Sequence, residues 1–213
     1  MNRLVIYLSL LGLSFIISLV RYRHLPGYLR LMPVLLGFSL LIEIPGYILR
    51  VNNINNLFLF HIYDIVEYVL IGIMYINAYH SIVAKKYVKV SIFIYLIFCL
   101  INSIFFQKIF QTADTYNFLV GCVLKTFIVL IYFYEIYQSN DNEKIENLPL
   151  FWISVGNFFF FTGTFFVMGL IEEIKIYNAQ LADSLHIINT VLNYLMYIMY
   201  SIGLLKKKHD IRG

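Results

Sequence analysis

Charged side chains are scarce in this sequence of 213 residues, in which Asp, Glu, Lys and Arg together make up only 13%. A soluble domain typically covers roughly 25–35% of its surface with such residues. Hydrophobic residues make up 61% of the chain, and they form runs of about 20 residues, the length at which a helix crosses a bilayer. The composition therefore excludes a soluble fold and predicts an integral membrane protein with no separate soluble domain.

Cysteine and catalytic sequence motifs are also scarce. The two cysteines, Cys99 and Cys122, lie inside apolar runs, and neither belongs to a C-x-x-C pair or a metal-binding spacing. No G-x-S-x-G, H-E-x-x-H or Walker sequence occurs. We therefore predict buried free cysteines, no resident cofactor and no metal site. The chain also lacks an internal repeat, which disfavours an inverted-repeat transporter.

The apolar runs predict an all-α fold, a polytopic bundle of seven transmembrane helices. Because the runs are continuous rather than alternating, they exclude a β-barrel. The first run is too long for a signal peptide and no small-x-small cleavage site follows it, so we predict a retained helix. Gly156, Gly163 and Gly169 predict a close approach of the sixth helix to a neighbour. A single transmembrane domain, 1–213, is expected to contain helices at 4–20, 31–49, 57–79, 90–106, 116–137, 150–170 and 185–205.

Most Lys and Arg residues, ten of the 16, fall into three clusters, after the first predicted helix, after the third and in the C-terminal tail KKKHDIRG. Basic residues concentrate in cytoplasmic loops. We therefore predict an N-terminus outside, a cytoplasmic C-terminus and a multi-pass location in the bacterial inner (cytoplasmic) membrane. This distribution explains the net charge of +4 without direct binding of nucleic acid. The two loop clusters are Arg21, Arg23 and Arg30, and Lys85, Lys86 and Lys89.

Ionisable side chains lie inside the predicted spans, although each costs roughly 2.5–3.5 kcal/mol at the centre of a membrane helix. Glu43 lies in the second span, Lys125 in the fifth, and the third carries His61, Asp64 and Glu67. One Lys cannot neutralise three acids, so at least one acid is expected to be protonated or hydrated. These five residues predict a ligand-binding pocket in the outer half of the bundle.

Polar residues form a stripe on the last predicted helix, because spacings of three and four place residues on one helix face. We assign Asn189 and Asn193 of this stripe to the same ligand pocket. A second interpretation stays open, in which Lys125 pairs with one Glu and the amides only hold helices together. The stripe consists of His186, Asn189, Asn193, Tyr197 and Ser201.

Three segments carry a resemblance to known proteins: NNLFLFHIYDIVEYVLIGIMY, INSIFFQ and NLPLFWISVGNFFFFTG. They resemble a group of uncharacterised seven-helix bacterial membrane proteins that stand alone or form the input module of sensor kinases. The resemblance implies a sensing or accessory role rather than a known reaction. It assigns no functional residue.

The leading hypothesis is a non-enzymatic membrane sensor or accessory module that contacts membrane lipid and signals to a cytoplasmic or membrane protein partner. One alternative is a channel or pore, assembled as a homo-oligomer, in an antiviral defence setting. A second alternative is an intramembrane metal-dependent lipid hydrolase with His61, Asp64 and His186 as ligands. The closing His-x-x-x-His of such enzymes is replaced here by Asn189-x-x-x-Asn193.

Overall fold

A computed structural model describes residues 2–139 and 144–206 of the chain. Each of its seven long helices is apolar enough to cross a membrane, which confirms the predicted all-α, seven-helix fold. Lys207, Lys208 and Arg212 of the predicted basic tail lie outside the described residues. The helices are α1 (Asn2–Val20), α2 (Met32–Val51), α3 (Leu57–Ala78), α4 (Ile82–Phe105), α5 (Thr115–Gln138), α6 (Pro149–Tyr177) and α7 (Ala179–Leu205).

Three helix boundaries differ clearly from the sequence prediction, namely the start of α4, the end of α6 and the start of α7. α4 begins at Ile82 and not at 90, because the Ser81 hydroxyl caps the helix by accepting a hydrogen bond from the backbone N–H of Ala84 at 3.2 Å. The three lysines assigned to a loop therefore lie in the first turns of α4, where their aliphatic stems can follow the helix toward water. α6 and α7 are also longer than predicted, and Asn178 alone separates them.

Six helices pack in the circular order α1, α2, α3, α5, α6 and α7, and α7 contacts α1 to close the ring. α4 packs on α3 and α5 and leaves apolar side chains such as Phe93 and Leu100 exposed, as expected for a lipid-facing helix. We call the end at which α2 joins α3, α4 joins α5 and α6 joins α7 the cavity end. The other is the opposite end.

α6 and α7 approach closely at Gly156, where an added Cβ would lie 2.9 Å from Cβ of Met199 and 3.1 Å from the backbone oxygen of Met196. Gly163 faces the flexible side chain of Leu192. A Cβ added at Gly169 would have no atom of the described residues within 4 Å, so the prediction of close packing is wrong for this residue, which lies on an exposed part of α6.

Buried tyrosines fill the ring toward the opposite end. The hydroxyl of Tyr75 lies 2.7 Å from that of Ser154, Tyr79 donates to the backbone oxygen of Ile128 at 2.5 Å, and Tyr200 donates to Asn157 at 2.5 Å. Each hydroxyl thus has a partner inside the bundle, as buried polar groups require. We call Tyr75, Tyr79, Tyr132 and Tyr200 the tyrosine layer.

Candidate functional site

A cavity of about 800 Å³ lies at the cavity end of the ring, and all six ring helices contribute to its wall. Five of the seven residues predicted to form the ligand pocket line it. The other two, His61 and Lys125, lie behind the wall, where each contacts a lining carboxylate. The predicted residues on the wall are Glu43, Asp64, Glu67, Asn189 and Asn193.

Glu67 and Lys125 form a buried ion pair near the middle of α3 and α5. Nζ of Lys125 donates to Oε2 of Glu67, and the Tyr63 hydroxyl donates to Oε1 at 2.9 Å. Lys125 also lies over the ring of Phe161, 4.1 Å from its centroid, a favourable cation–π position. Glu67 therefore has its charge compensated and both oxygens hydrogen-bonded before any ligand enters.

Glu43 is half-buried and belongs to a second polar group across the cavity. It accepts a hydrogen bond from the Tyr7 hydroxyl at 2.9 Å through Oε1. Arg50, two turns further along α2, lowers the electrostatic cost of the Glu43 charge and also lines the cavity. Oε2 of Glu43 has no donor among the described residues, so this acid keeps one free acceptor.

His61 and Asp114 form a third group, which joins α3 to the start of α5. Nε2 of His61 lies 3.1 Å from the backbone oxygen of Thr112, an acceptor only, so Nε2 carries a hydrogen. Nδ1 lies 3.4 Å from Oδ1 of Asp114, and one proton must sit on Nδ1 or on the carboxyl to avoid two facing lone pairs. Burial raises the pKa of the Asp114 carboxyl, and the nearby His61 offsets part of that rise.

Asp64 is an acid without a cationic partner. Its side chain is only 5% exposed and lines the cavity, yet no described cation forms a close ion pair with it. Its hydrogen-bond partner is the carboxyl of Asp114, a second acid, so this contact needs a proton shared between the two. The charge of Asp64 interacts with Lys125, which is already paired, and is opposed by Glu67 and Asp114. The wall thus holds one carboxyl whose electrostatic surroundings are unbalanced.

The polar stripe of α7 divides between the cavity and the helix interface. Asn189 lines the cavity and also accepts a hydrogen bond from Thr164 of α6 at 2.8 Å. Asn193 donates to the backbone oxygen of Asn189 at 3.1 Å, which leaves its Oδ1 without a described donor. Ser201 instead meets Ser14 of α1 at 2.9 Å. The stripe therefore supplies residues both to the cavity wall and to contacts between helices.

The sequence analysis did not assign several lining residues to the pocket, among them Asp114, Tyr7 and Tyr63. Tyr63 precedes Glu67 by four residues and so shares its helix face, a signal that the sequence did contain. Asp114 lies in a polar segment that resembles an exposed loop, and Tyr7 lies in a run of apolar residues. Among the described residues, no set of three His, Cys, Asp or Glu side chains is placed to hold a metal ion.

Comparison with known proteins gives no relative from which a role could be inferred. No protein-family model, no curated protein and no solved structure matches the chain significantly.

Proposed function

We propose that this protein is a non-enzymatic membrane sensor or accessory module that binds a small ligand in the cavity. The observation that carries the proposal is a space of about 800 Å³, within the usual range of ligand pockets. Its wall includes the buried carboxyl of Asp64, which forms no ion pair with a described cation. With the N-terminus outside, as the basic clusters favour, the cavity faces the outside of a bacterial inner membrane.

α7 offers a route from the cavity to a cytoplasmic partner. It lines the cavity through Asn193 and Tyr197, and its last turn is held at the opposite end by Arg21, which donates to the backbone oxygens of Leu205 and Lys206. A ligand that binds one position of α7 better than another shifts the equilibrium between them by that difference in affinity. The basic residues of the opposite end would then present a changed surface to the partner.

The tyrosine layer favours a closed receptor and disfavours the alternative of a pore through a single chain. Tyr75, Tyr79 and Tyr200 are at most 3% exposed, and they lie between the cavity and the opposite end. A conducting chain would need a continuous polar path through this level. We expect no ion flux in proteoliposomes, and steady conductance from the wild-type protein would favour the pore alternative.

The ligand-binding part of the proposal is tested by thermal unfolding of the purified protein in detergent. We expect the dialysable solutes or the total lipids of a bacterial extract to raise the unfolding temperature of the wild type. Glu43→Gln should reduce this rise. Ser91→Ala, which removes a hydrogen bond to Tyr68 on the α3–α4 face, should keep it. An extract that leaves the wild type unchanged would contradict a ligand pocket.

The signalling part is tested with spin labels at Ile82→Cys and Leu205→Cys, two exposed positions at the opposite end. The native cysteines are buried and need not be removed. We expect the same extract to change the distance between the labels. Binding without any change of this distance would contradict transmission along α7.

A further inference from the structure

Charges of opposite sign occupy different depths of the cavity. Arg3 and Arg50 lie at the ends of α1 and α2, are exposed, and line its rim. Asp64 lies seven residues inside α3 from Leu57, which corresponds to about 10 Å along a helix. Among the side chains that the structure describes, the rim is thus rich in guanidinium groups and the interior in carboxylates.

The interior holds more carboxyls than cations in contact with them. Glu67 is neutralised by Lys125 and Asp114 faces His61, but among the described residues neither Glu43 nor Asp64 has a cation in contact. A carboxyl that is 95% withdrawn from solvent and unpaired is costly. A bound cation in the cavity would remove this cost, whereas an anion would increase it.

The unfilled hydrogen-bond positions indicate what kind of cation fits. Oε2 of Glu43 and Oδ1 of Asn193 face the cavity region without a described donor, and the Asp64 carboxyl meets another carboxyl, that of Asp114. These groups are all acceptors, and a primary ammonium brings three N–H donors. A quaternary ammonium brings none and would leave buried acceptors unsatisfied, which is unfavourable.

We propose that the cavity binds a zwitterion whose primary ammonium pairs with Asp64 and whose anionic group faces Arg3 and Arg50. This inference rests on the proposed function, because it names the chemical class of the ligand for the same cavity. Phosphoethanolamine has this chemistry, either as a free solute or as the headgroup of a phospholipid. Apolar lining residues such as Phe60, Phe118 and Met168 leave room for a hydrocarbon portion.

The probes are phosphoethanolamine, a short-chain phosphatidylethanolamine, phosphocholine, ethanolamine and glycerol phosphate, and binding to the purified full chain is measured by calorimetry. We expect the two compounds that carry both charges and a primary ammonium to bind, and the other three to bind at least about tenfold more weakly. Preference for the short-chain lipid identifies the membrane as the source. If phosphoethanolamine binds as tightly as the short-chain lipid, the hydrocarbon portion contributes nothing, which identifies a free solute.

Asp64→Asn, which keeps the size of the side chain, should weaken binding of the two zwitterions at least about tenfold and should not lower the unfolding temperature of the empty protein. Arg3→Gln combined with Arg50→Gln should weaken binding severalfold. Arg30→Gln, at the opposite end beside Tyr22, is the matched control and should bind like the wild type. If Asp64→Asn does not fold, Asn193→Ala provides the same test with one acceptor removed.

Binding of phosphocholine as tight as that of phosphoethanolamine would overturn the assignment of a primary ammonium. Unchanged binding in Asp64→Asn, or in Asn193→Ala where the first variant fails, would overturn the position of the cation. If a bacterial extract stabilises the wild type but no zwitterion binds, the ligand class is wrong and the sensor proposal stands. If neither has an effect, both proposals fail.

Discussion

The Glu67–Lys125 pair places a full positive and a full negative charge near the centre of the bundle. Lys125→Met should lower the free energy of unfolding by about 3–5 kcal/mol, because Glu67 then remains buried without its partner. The double variant Lys125→Met with Glu67→Gln should recover most of that loss, since no charge is left uncompensated. Unfolding by denaturing detergent gives both values.

The result that would contradict this reasoning is additivity. If the loss in the double variant equals the sum of the losses in Lys125→Met and in Glu67→Gln measured separately, the two residues contribute independently to stability. Thr126→Val is a suitable control, because the partners of its hydroxyl among the described residues are the backbone oxygen of Cys122 and, at 3.4 Å, the hydroxyl of Thr162. It should change stability much less.

Asp114 predicts a pH effect with a defined sign. An acid whose pKa is raised by folding holds its proton more tightly in the folded state, so lowering the pH through that pKa stabilises the fold. The wild type should therefore gain more stability than Asp114→Asn between neutral and mildly acidic pH. Thermal unfolding across this range measures the difference between the two slopes.

His61 and Asp64 face Asp114, so the comparison with Asp114→Asn, rather than the wild-type slope alone, isolates this carboxyl. Glu146→Gln, at an exposed position, should leave the wild-type slope unchanged. If Asp114→Asn gains more stability than the wild type as the pH is lowered, the predicted sign is wrong.

The sequence could predict the depth of Asp64, Glu67 and Lys125, because the position of a residue in an apolar run sets its height in the bundle. It also predicted a pairing of Lys125 with one Glu, which the structure identifies as Glu67. It could not predict Asp114, whose burial depends on how the segment before α5 folds back on His61 of α3. Hydropathy carries no information on such a contact.

At the level of the helices, the close α6–α7 contact depends on Gly156, which has no side chain. Gly156→Ala should lower the free energy of unfolding by roughly 1–3 kcal/mol, because the new methyl group meets Met199 and the backbone at Met196 with little freedom to move. Gly169→Ala is the matched control on the same helix. It should be neutral or stabilise by up to about 1 kcal/mol, since Ala favours the helix and no described atom lies within 4 Å of the new methyl group.

Equal effects of these two substitutions would contradict a close α6–α7 interface. The sequence predicted close packing at all three glycines of α6, because a small residue in a membrane helix commonly marks an interface. It could not predict which of them face α7, since this depends on the rotation of α6 about its axis. The start of α4 was missed for a similar reason: hydropathy finds the apolar core of a helix and not its capped first turns.

For the whole molecule, the number of helices followed from hydropathy, but the circular order and the α1–α7 contact did not. The proposed orientation is tested by single cysteines at Ile54, between α2 and α3, and at His80, between α3 and α4, both exposed. We expect Ile54→Cys to react with a membrane-impermeant maleimide in intact bacterial spheroplasts, and His80→Cys to react only after lysis. The reversed pattern would place the cavity on the cytoplasmic side.

The closure of the ring by α7 has a consequence for biosynthesis. Glu43 and the acids of α3 leave the ribosome before Lys125 of α5 is made, and the wall that encloses them is incomplete until α7, with Asn189 and Asn193, has been synthesised. Glu67 therefore enters the membrane before its counter-charge, Lys125, is made. Insertion of α3 requires this acid to be protonated or sheltered by the insertion machinery, and the cavity is complete only after the last helix has joined the first.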